Sequence, residues 1–411
     1  MDFRLTAEQE LWKRMVREFA EKNIEPRARE IDEKEAGIPE EIIQGMAELG
    51  IFGVTIPEEY GGSAMPGQEM VYAMITIHEL ARAELSMSLP VYTLLCLGWG
   101  YLIVRYGSEE LKREVLPKVA SGEWFVGINT TEPQGGSDVS AITTTAVKKG
   151  DKWIITGEKT YISGVTEATT RGGGHCTLVV TDPEKGHRGM TFIYIPANLP
   201  GIIHTVYKDM GRMGLSTGGF IYKDVEVPDY CRLSEVGRGF HMNMEGFNVA
   251  RIVVAAACTG AAEKMLEIGV DYTKQRILFG RPLINFEGIS FEIAEDHTDL
   301  ELTKLMLQKA AWMVDRFYAG TGEFTKTDIN KAVAMCKLRA PLLAARIAQH
   351  VMIQLGAFGY TRDCPVEMGL RGVLSYCVGA EGGQNIMKII IARDYAGDEA
   401  VPYRGTQKPP K

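Results

Sequence analysis

An acidic residue near the carboxyl end of the chain stands in a stretch that is almost free of side chains. Glu381 follows Ala380 and precedes Gly382 and Gly383, and a predicted helix comes next. A carboxylate in apolar surroundings is desolvated, which raises its pKa towards a value useful for a general base. The alternative is an ordinary first helical turn, where the positive helix end favours a glutamate. The local sequence alone favours that alternative.

A second segment that could take part in binding or catalysis is the loop TTEPQGGSD, from Thr130 to Asp138. Glycines and hydroxyls beside a turn expose backbone N–H groups, which can bind an anionic or polar ligand. A glycine-rich loop that only leads into a β region would have the same composition, and composition alone favours this plainer interpretation.

The third segment is RILFGRPL, where Arg276 and Arg281 flank Phe279 and a Gly-Arg-Pro turn. Arginine suits pyrophosphate because its guanidinium presents forked donors. A solvated helix end with capping arginines explains the segment equally well.

The sequence motifs of several other enzyme and binding-site classes are absent. The sequence has no GxSxG elbow, no GxGxxG after a strand, and neither HxxxH nor HExxH spacing, so we expect no metal site. Its seven cysteines include no CxxC pair, which indicates neither a disulfide framework nor zinc and favours a reducing, cytoplasmic location. The net charge of -8 disfavours nucleic acid as a partner.

Three regions that differ in composition and hydrophobic periodicity must position these segments. Residues 1–122 have helical periodicity, 123–236 contain short strands rich in Thr, Val and Ile, and 237–400 are helical again, before a tail at 401–411. We predict an α+β multidomain fold: a helical domain, an antiparallel β-barrel or sandwich, and a helical bundle. The apolar run from Leu89 to Val104 has 16 residues, too few for a membrane span, and predicts a core helix.

Four segments in this order resemble the acyl-CoA dehydrogenase family along nearly the whole chain. TEPQGGSD resembles the family's TEPxxGSD signature, and KTYISG at 159–164 is similar to its K-x-W/Y-I-T/S-N strand. QRILFGRPLINFE is similar to its R-x-x-FG-x-P stretch. The run from LGAFGYTRDCPVE to AEGGQNI resembles its GGxGYTxxxPVE…YEGTSxI stretch.

The resemblance implies a homotetramer, a dimer of dimers, whose three-domain subunits end in a four-helix bundle and each bind one FAD. It also implies an acyl-CoA substrate and an electron-transferring flavoprotein as the electron acceptor. Glu381 matches the catalytic glutamate, which takes the α-proton while the β-hydride goes to the flavin. Some members place the base before a conserved arginine; here that arginine matches Arg251, and the preceding residue is Ala250.

By match of position, the remaining site residues fall into two groups. Those that match FAD contacts are Ile128, Thr130, Thr131, Gly136, Ser137, Tyr161, Ser163, Arg276, Phe279, Phe286, Glu287, Gly356, Gly383 and Asn385. Those that match substrate contacts are Ser137, Asn248, Arg251 and Gly382.

The chain departs from the family pattern close to the base. The usual bulky aromatic before the glutamate is Ala380, the usual Arg-Asp pair is Arg371-Gly372, and the loop at 166–175 is long. Small residues around the base widen the acyl pocket, so we predict a branched, cyclic or aryl-bearing acyl group. Two alternatives stay open from the sequence: an enoyl-CoA reductase of the same fold and a non-catalytic scaffold member.

Overall fold

A computed structural model describes residues 4–33 and 37–401. Helices occupy the amino-terminal region, as predicted. Their bounds are α1 Ala7–Asn23, α2 Ala28–Glu33, α3 Glu40–Glu48, α4 Glu69–Ala83, α5 Ser88–Tyr106 and α6 Glu109–Ala120. The start of α1 is fixed by a capping box, in which Thr6 and Gln9 exchange side-chain to backbone hydrogen bonds.

Helix α5 is the core helix of this region. It is long and apolar enough to cross a membrane by length and composition, but 89% of its most apolar 18-residue stretch is buried inside the protein. It packs against α4, α6, α8 (Gly239–Gln275) and the first strand. The prediction of a buried core helix at this position therefore agrees with the structure.

The middle region forms one eight-stranded sheet. Its strands are β1 Phe125–Asn129, β2 Thr145–Lys149, β3 Lys152–Ser163, β4 Gly173–Val180, β5 Met190–Pro196, β6 Ile202–Tyr207, β7 Thr217–Pro228 and β8 Arg232–Leu233. The strand order is β6-β7-β3-β2-β4-β5-β8, and β1 pairs with β4. β2 and β3 form the hairpin predicted around Gly150, with Lys149 opposite Lys152.

One detail of the predicted β domain is wrong. The sheet is mixed, because β1 pairs with β4 in parallel and β2 meets β4 in parallel at Thr145 and Val180. The chain enters the sheet through β1 and reaches β2 only after the long loop at 130–144, so these strands are not joined by a tight antiparallel turn. The predicted long loop at 166–175 contains helix α7, Val165–Arg171.

The carboxyl-terminal region is built on long helices, in agreement with the predicted bundle. Its elements are α8 Gly239–Gln275, β9 Ile277–Leu278, β10 Arg281–Pro282, α9 Glu287–Tyr318, α10 Lys326–Leu355, α11 Pro365–Val378 and α12 Gln384–Ala396. Helix α10 packs against α8, α9, α11 and α12. All seven cysteines are free thiols.

Candidate active site

A cavity of about 940 Å³ lies where the three regions meet. Its walls come from α5, the sheet, the start of α8, and the segment that runs from α11 into α12. Eleven of the sequence-predicted site residues line it: Ile128, Thr130, Thr131, Gly136, Ser137, Tyr161, Ser163, Arg251, Glu381, Gly382 and Gly383. The structure therefore brings the TEPQGGSD loop and the Glu381 segment to one cavity, although about 240 residues separate them in sequence.

The Glu381 loop has an unusual backbone. Ala380, Glu381 and Gly382 have φ angles of 55°, 49° and 103°, all in the region that side-chain-bearing residues rarely adopt. Such a conformation persists only where its surroundings hold it. The Arg251 Nε atom of α8 does so by donating a 3.0 Å hydrogen bond to the Glu381 carbonyl oxygen.

One oxygen of the Glu381 carboxyl group is removed from water. Its Oε2 atom is buried and has no hydrogen-bond partner among the described residues. Burial raises the pKa of Glu381 above the ordinary glutamate value, and the positive charges of Lys337, Arg251 and Arg212 limit the rise. A partnerless, desolvated carboxylate facing a cavity has the properties of a general base.

Asn248 does not line the cavity, and its part in the site is indirect. Its Oδ1 atom accepts a 3.0 Å hydrogen bond from Arg251, and its Nδ2 atom donates to Asn330 at 2.6 Å. Arg251 is itself buried, and burial lowers its pKa to about 10. Asn248 thus orients the arginine that holds the Glu381 loop.

The TEPQGGSD loop is anchored by a buried ion pair that the sequence interpretation missed. The Glu132 carboxylate accepts hydrogen bonds from Lys159 Nζ at 2.8 Å, Thr143 N at 2.7 Å and Thr144 N at 3.0 Å. Lys159 also donates to the Thr130 carbonyl oxygen at 3.1 Å. These charge-assisted bonds hold the pKa of Glu132 at about 2 against the opposing effect of burial.

A signal for this pair was present in the sequence. Strand alternation places Lys159 on the same inward face as Trp153 and Ile155. A lysine on a buried face requires a counter-ion, and Glu132 is the acid of the neighbouring loop.

Besides Asn248, six predicted residues lie outside the cavity: Arg276, Phe279, Phe286, Glu287, Gly356 and Asn385. Arg276 ends α8, and Phe279 stands at the tip of the β9–β10 hairpin, where its side chain is 94% exposed. Gly356 ends α10 with a φ of 65°, and Asn385 is exposed on α12. Within a single chain these residues do not join the site.

Close packing explains why position 372 is a glycine where the family pattern has an aspartate. A Cβ atom at Gly372 would lie 2.7 Å from the Ser86 carbonyl oxygen and 2.8 Å from that of Leu85, so α11 approaches the turn before α5 too closely for a side chain. Arg371 lines the cavity and takes its counter-charge from the buried Asp32 of α2, at 2.5 Å, and from Glu367, at 2.7 Å.

Family models match all three regions of the chain. The acyl-CoA dehydrogenase N-terminal domain matches residues 6–123, the middle domain matches 127–225 and the C-terminal domain matches 237–396. The chain belongs to the acyl-CoA dehydrogenase family. Members of this family are FAD-dependent oxidoreductases, so the chain is an oxidoreductase whose cofactor is FAD, and the scaffold alternative falls away.

Relatives in this family carry different activities. The chain is 35% identical over 398 residues to a glutaryl-CoA dehydrogenase of Desulfococcus multivorans, with 97% of this chain and 98% of the relative covered. It is 35% identical to the acryloyl-CoA reductase (NADH) of Anaerotignum propionicum, with 96% of each covered. It is 33% identical to a 3-(aryl)acrylate reductase of Clostridium sporogenes, with 94% and 98% covered.

Solved structures agree with this assignment. A glutaryl-coenzyme A dehydrogenase in complex with glutaryl-CoA superposes with a TM-score of 0.89 at 34% identity, covering 99% of this chain and 100% of that one. A chain from a study of the electron-transferring flavoprotein of Acidaminococcus fermentans gives a TM-score of 0.88 at 30% identity, with 97% and 100% covered.

Replacing Lys159 with methionine tests the anchor of the TEPQGGSD loop. The change leaves the Glu132 carboxylate buried without its cation, so we expect the free energy of unfolding to fall by about 3–5 kcal/mol. The purified protein should also retain less FAD. Denaturant unfolding and the flavin-to-protein absorbance ratio measure the two effects.

The matched control is Lys152→Met on the same strand. It removes only an exposed ion pair with Glu226 and should change the free energy of unfolding by less than about 1 kcal/mol. Equal stability of the two variants would contradict the anchoring role.

Proposed function

We propose that this chain oxidises an acyl-CoA thioester to the 2-enoyl-CoA, with Glu381 as the base that removes the α-proton. The observation that carries the proposal is the Glu381 Oε2 atom, which is buried beside a large cavity and has no hydrogen-bond partner among the described residues. Burying a carboxylate without a partner is costly, and a base that must receive a proton from a ligand is a functional reason for that cost.

The cavity residues fit a flavin. The Tyr161 ring is 72% exposed beside the cavity, and hydroxyl groups of Thr131, Ser137 and Ser163 line the walls. No atom of the described part of the chain lies within 4 Å of the place that a Cβ of Gly136 would occupy, so a ligand can reach the backbone there. These residues would hold FAD, which supplies the acceptor for the hydride that leaves the β-carbon.

The remaining chemistry belongs to the Glu381 loop. The Glu381 backbone N–H donates to no acceptor among the described residues, so it is available to a thioester carbonyl oxygen. A donor at that position stabilises the negative charge that develops as the α-proton leaves. Arg251 fixes the position of the loop through the Glu381 carbonyl oxygen, which keeps the N–H and the carboxylate aimed at one ligand.

Replacing Glu381 with glutamine removes the base and keeps the shape of the side chain. We expect turnover to fall by at least ~10²-fold, with FAD content unchanged. In the wild type, activity should rise with pH through a pKa above the ordinary glutamate value of about 4.3, because the carboxylate must be ionised to accept the proton.

The assay is anaerobic bleaching of the bound flavin by an acyl-CoA, followed across pH. Glu48→Gln, at an exposed glutamate on α3, is the control and should keep full activity. Near-normal turnover by the Glu381→Gln flavoprotein would refute the assignment of the base.

The residues that line the cavity also indicate which kind of acyl group it can bind. Val91, Leu94 and Leu95 of α5 contribute apolar side chains, and Ala380 leaves the space next to the base open. Two of the three arginines that line the cavity have carboxylate partners already, Arg212 in Asp209 and Arg371 in Asp32. The third, Arg251, donates to the Glu381 carbonyl oxygen and to the Asn248 side chain. We therefore propose an uncharged acyl group that is branched, cyclic or aryl-bearing.

A panel of thioesters tests this preference. We expect isobutyryl-CoA, cyclohexanecarbonyl-CoA or 3-arylpropionyl-CoA to give a kcat/KM at least about tenfold above that of any unbranched C4–C12 acyl-CoA, since filling an apolar pocket discriminates by 10–200-fold. Glutaryl-CoA serves as the charged comparison and should be poor. A profile led by straight chains or by glutaryl-CoA would overturn the preference.

Reduction of an enoyl-CoA is the second candidate direction. Two relatives, the acryloyl-CoA reductase and the 3-(aryl)acrylate reductase, favour it. The same residues would serve, with Glu381 returning the proton to the α-carbon. We propose oxidation as the physiological direction, an electron-transferring flavoprotein as the acceptor, and a cytoplasmic location.

We also propose the homotetramer. Large apolar side chains are exposed on the outer bundle helices: Phe291, Leu302, Leu305 and Trp312 on α9, and Met335, Leu342 and Ile353 on α10. Patches of this kind mark protein interfaces. Assembly would also give Arg276, Phe279, Phe286, Glu287 and Gly356 a role, as contacts to the FAD of a neighbouring subunit.

Light scattering at micromolar concentration should give four times the chain mass. The double variant Leu302→Ser with Leu305→Ser should yield smaller species that lose FAD, because the apolar stripe is interrupted. Val147→Ser, at a 63% exposed position on β2, is the control and should stay tetrameric. A monomeric wild type that retains FAD would refute the assembly.

A further inference from the structure

A buried lysine lies behind the Glu381 loop and was not singled out by the sequence. Lys337 is on α10 and its side chain is 2% exposed. Its Nζ atom donates to the carbonyl oxygens of Tyr376, at 2.7 Å, and Gly379, at 3.1 Å. These oxygens belong to the last turn of α11 and to the residue that follows it, where carbonyl groups lack partners within the helix.

Within residues 4–33 and 37–401, Lys337 has no carboxylate as a hydrogen-bond partner, which is unusual for a buried ammonium group. Its acidic neighbour is Glu381, which raises the pKa of Lys337 against the larger, opposite effect of burial. The thiols of Cys258 and Cys377 and the guanidinium of Arg251 also face it. The ammonium group is thus held by the loop that carries the base.

The charges around Glu381 come from four elements. Lys337 on α10, Arg251 on α8 and Arg212 before β7 are cationic, and Tyr376 on α11 contributes a buried phenol. Arg251 and Arg212 have side-chain acceptors of their own in Asn248 and Asp209. Among the described residues Lys337 has only the two backbone carbonyls as acceptors, so, like Arg251 and unlike Arg212, it has no anionic hydrogen-bond partner.

We propose that Lys337 is a positioning residue of the reaction, which fixes the end of α11 and stabilises the ionised carboxylate of Glu381 from behind. The proposal rests on the proposed role of Glu381 as the base. Two bonds to the carbonyls at 376 and 379 set where the loop begins. The positive charge favours the form of Glu381 that accepts a proton.

A residue that only caps α11 and a residue that also acts on the charge of Glu381 differ in one respect. Loss of a cap lowers activity to the same extent at every pH. Loss of a cation beside a buried carboxylate makes ionisation harder, so the acid limb of the activity profile moves to higher pH. An opposite charge at close range shifts a carboxyl pKa by about 1–3 units.

The experiment compares Lys337→Met, Lys337→Arg and the control Lys331→Met as FAD-loaded proteins. Lys331 is on the same helix and forms a surface ion pair with Asp394. For Lys337→Met we expect the acid limb of kcat to move up by about one pH unit, which lowers kcat about tenfold at pH values below the limb. We also expect recovery at alkaline pH and a KM within twofold of wild type. Lys337→Arg and Lys331→Met should keep the wild-type limb.

A second measurement is independent of turnover. A carboxyl group whose pKa is raised on folding lowers stability once the pH exceeds its unfolded value. Glu381→Gln should therefore stabilise the protein at neutral pH, and more so in the Lys337→Met background than in the wild type. If the gain is equal in the two backgrounds, the electrostatic part of the proposal fails.

A pH-independent loss in Lys337→Met, or an unchanged profile, would also overturn the proposal. If Lys337→Met does not hold FAD, Lys337→Ala is assayed with added ethylamine; dose-dependent recovery supports the proposal, and no recovery in a folded flavoprotein contradicts it. Glu381→Gln separates the two hypotheses. If that variant is inactive while Lys337→Met behaves as wild type, only the role of Lys337 is lost; if it stays active, the proposed function fails first.

Discussion

A carboxylate kept out of water is the constraint on which this site depends. Ionised groups resist burial, and the loop that holds Glu381 adopts a backbone conformation that is itself unfavourable for an alanine and a glutamate. Neither feature is stable locally. Both are maintained by side chains from other elements: Arg251 on α8 binds the loop carbonyl, and Lys337 on α10 binds the preceding turn.

The loop on the opposite wall of the cavity also needs support from the interior, and a buried ion pair provides it. The loop after β1 presents hydroxyls and a bare glycine to the cavity, so it has few side chains of its own with which to pack. Its rigidity comes from Glu132, which collects backbone N–H groups and the Lys159 ammonium group in the interior. One buried charge pair thus substitutes for a hydrophobic core beneath the loop.

Periodicity and short motifs predicted much of this architecture. The α–β–α order and the hairpin around Gly150 followed from local pattern, because helices and strands have characteristic hydrophobic periods. The cavity residues at both motifs followed from the family resemblance, since local composition favoured an ordinary loop and an ordinary helix start there. The parallel pairing of β1 with β4 did not, since strand order depends on distant contacts. Lys337 was missed for a related reason: on α10 it looks like any helical lysine, and only the fold shows the carbonyls it binds.

The close contact at Gly372 affects more than the packing of α11. No side chain fits at position 372, and the charge of Arg371 is balanced by Glu367 on the same helix and by an aspartate 339 positions earlier in the chain. Helix α2 therefore contributes a negative charge to the cavity wall, in addition to packing against the core. Shortened versions of the protein that begin after α2 would leave Arg371 dependent on Glu367 alone, and designs that fuse or trim this end should keep Asp32.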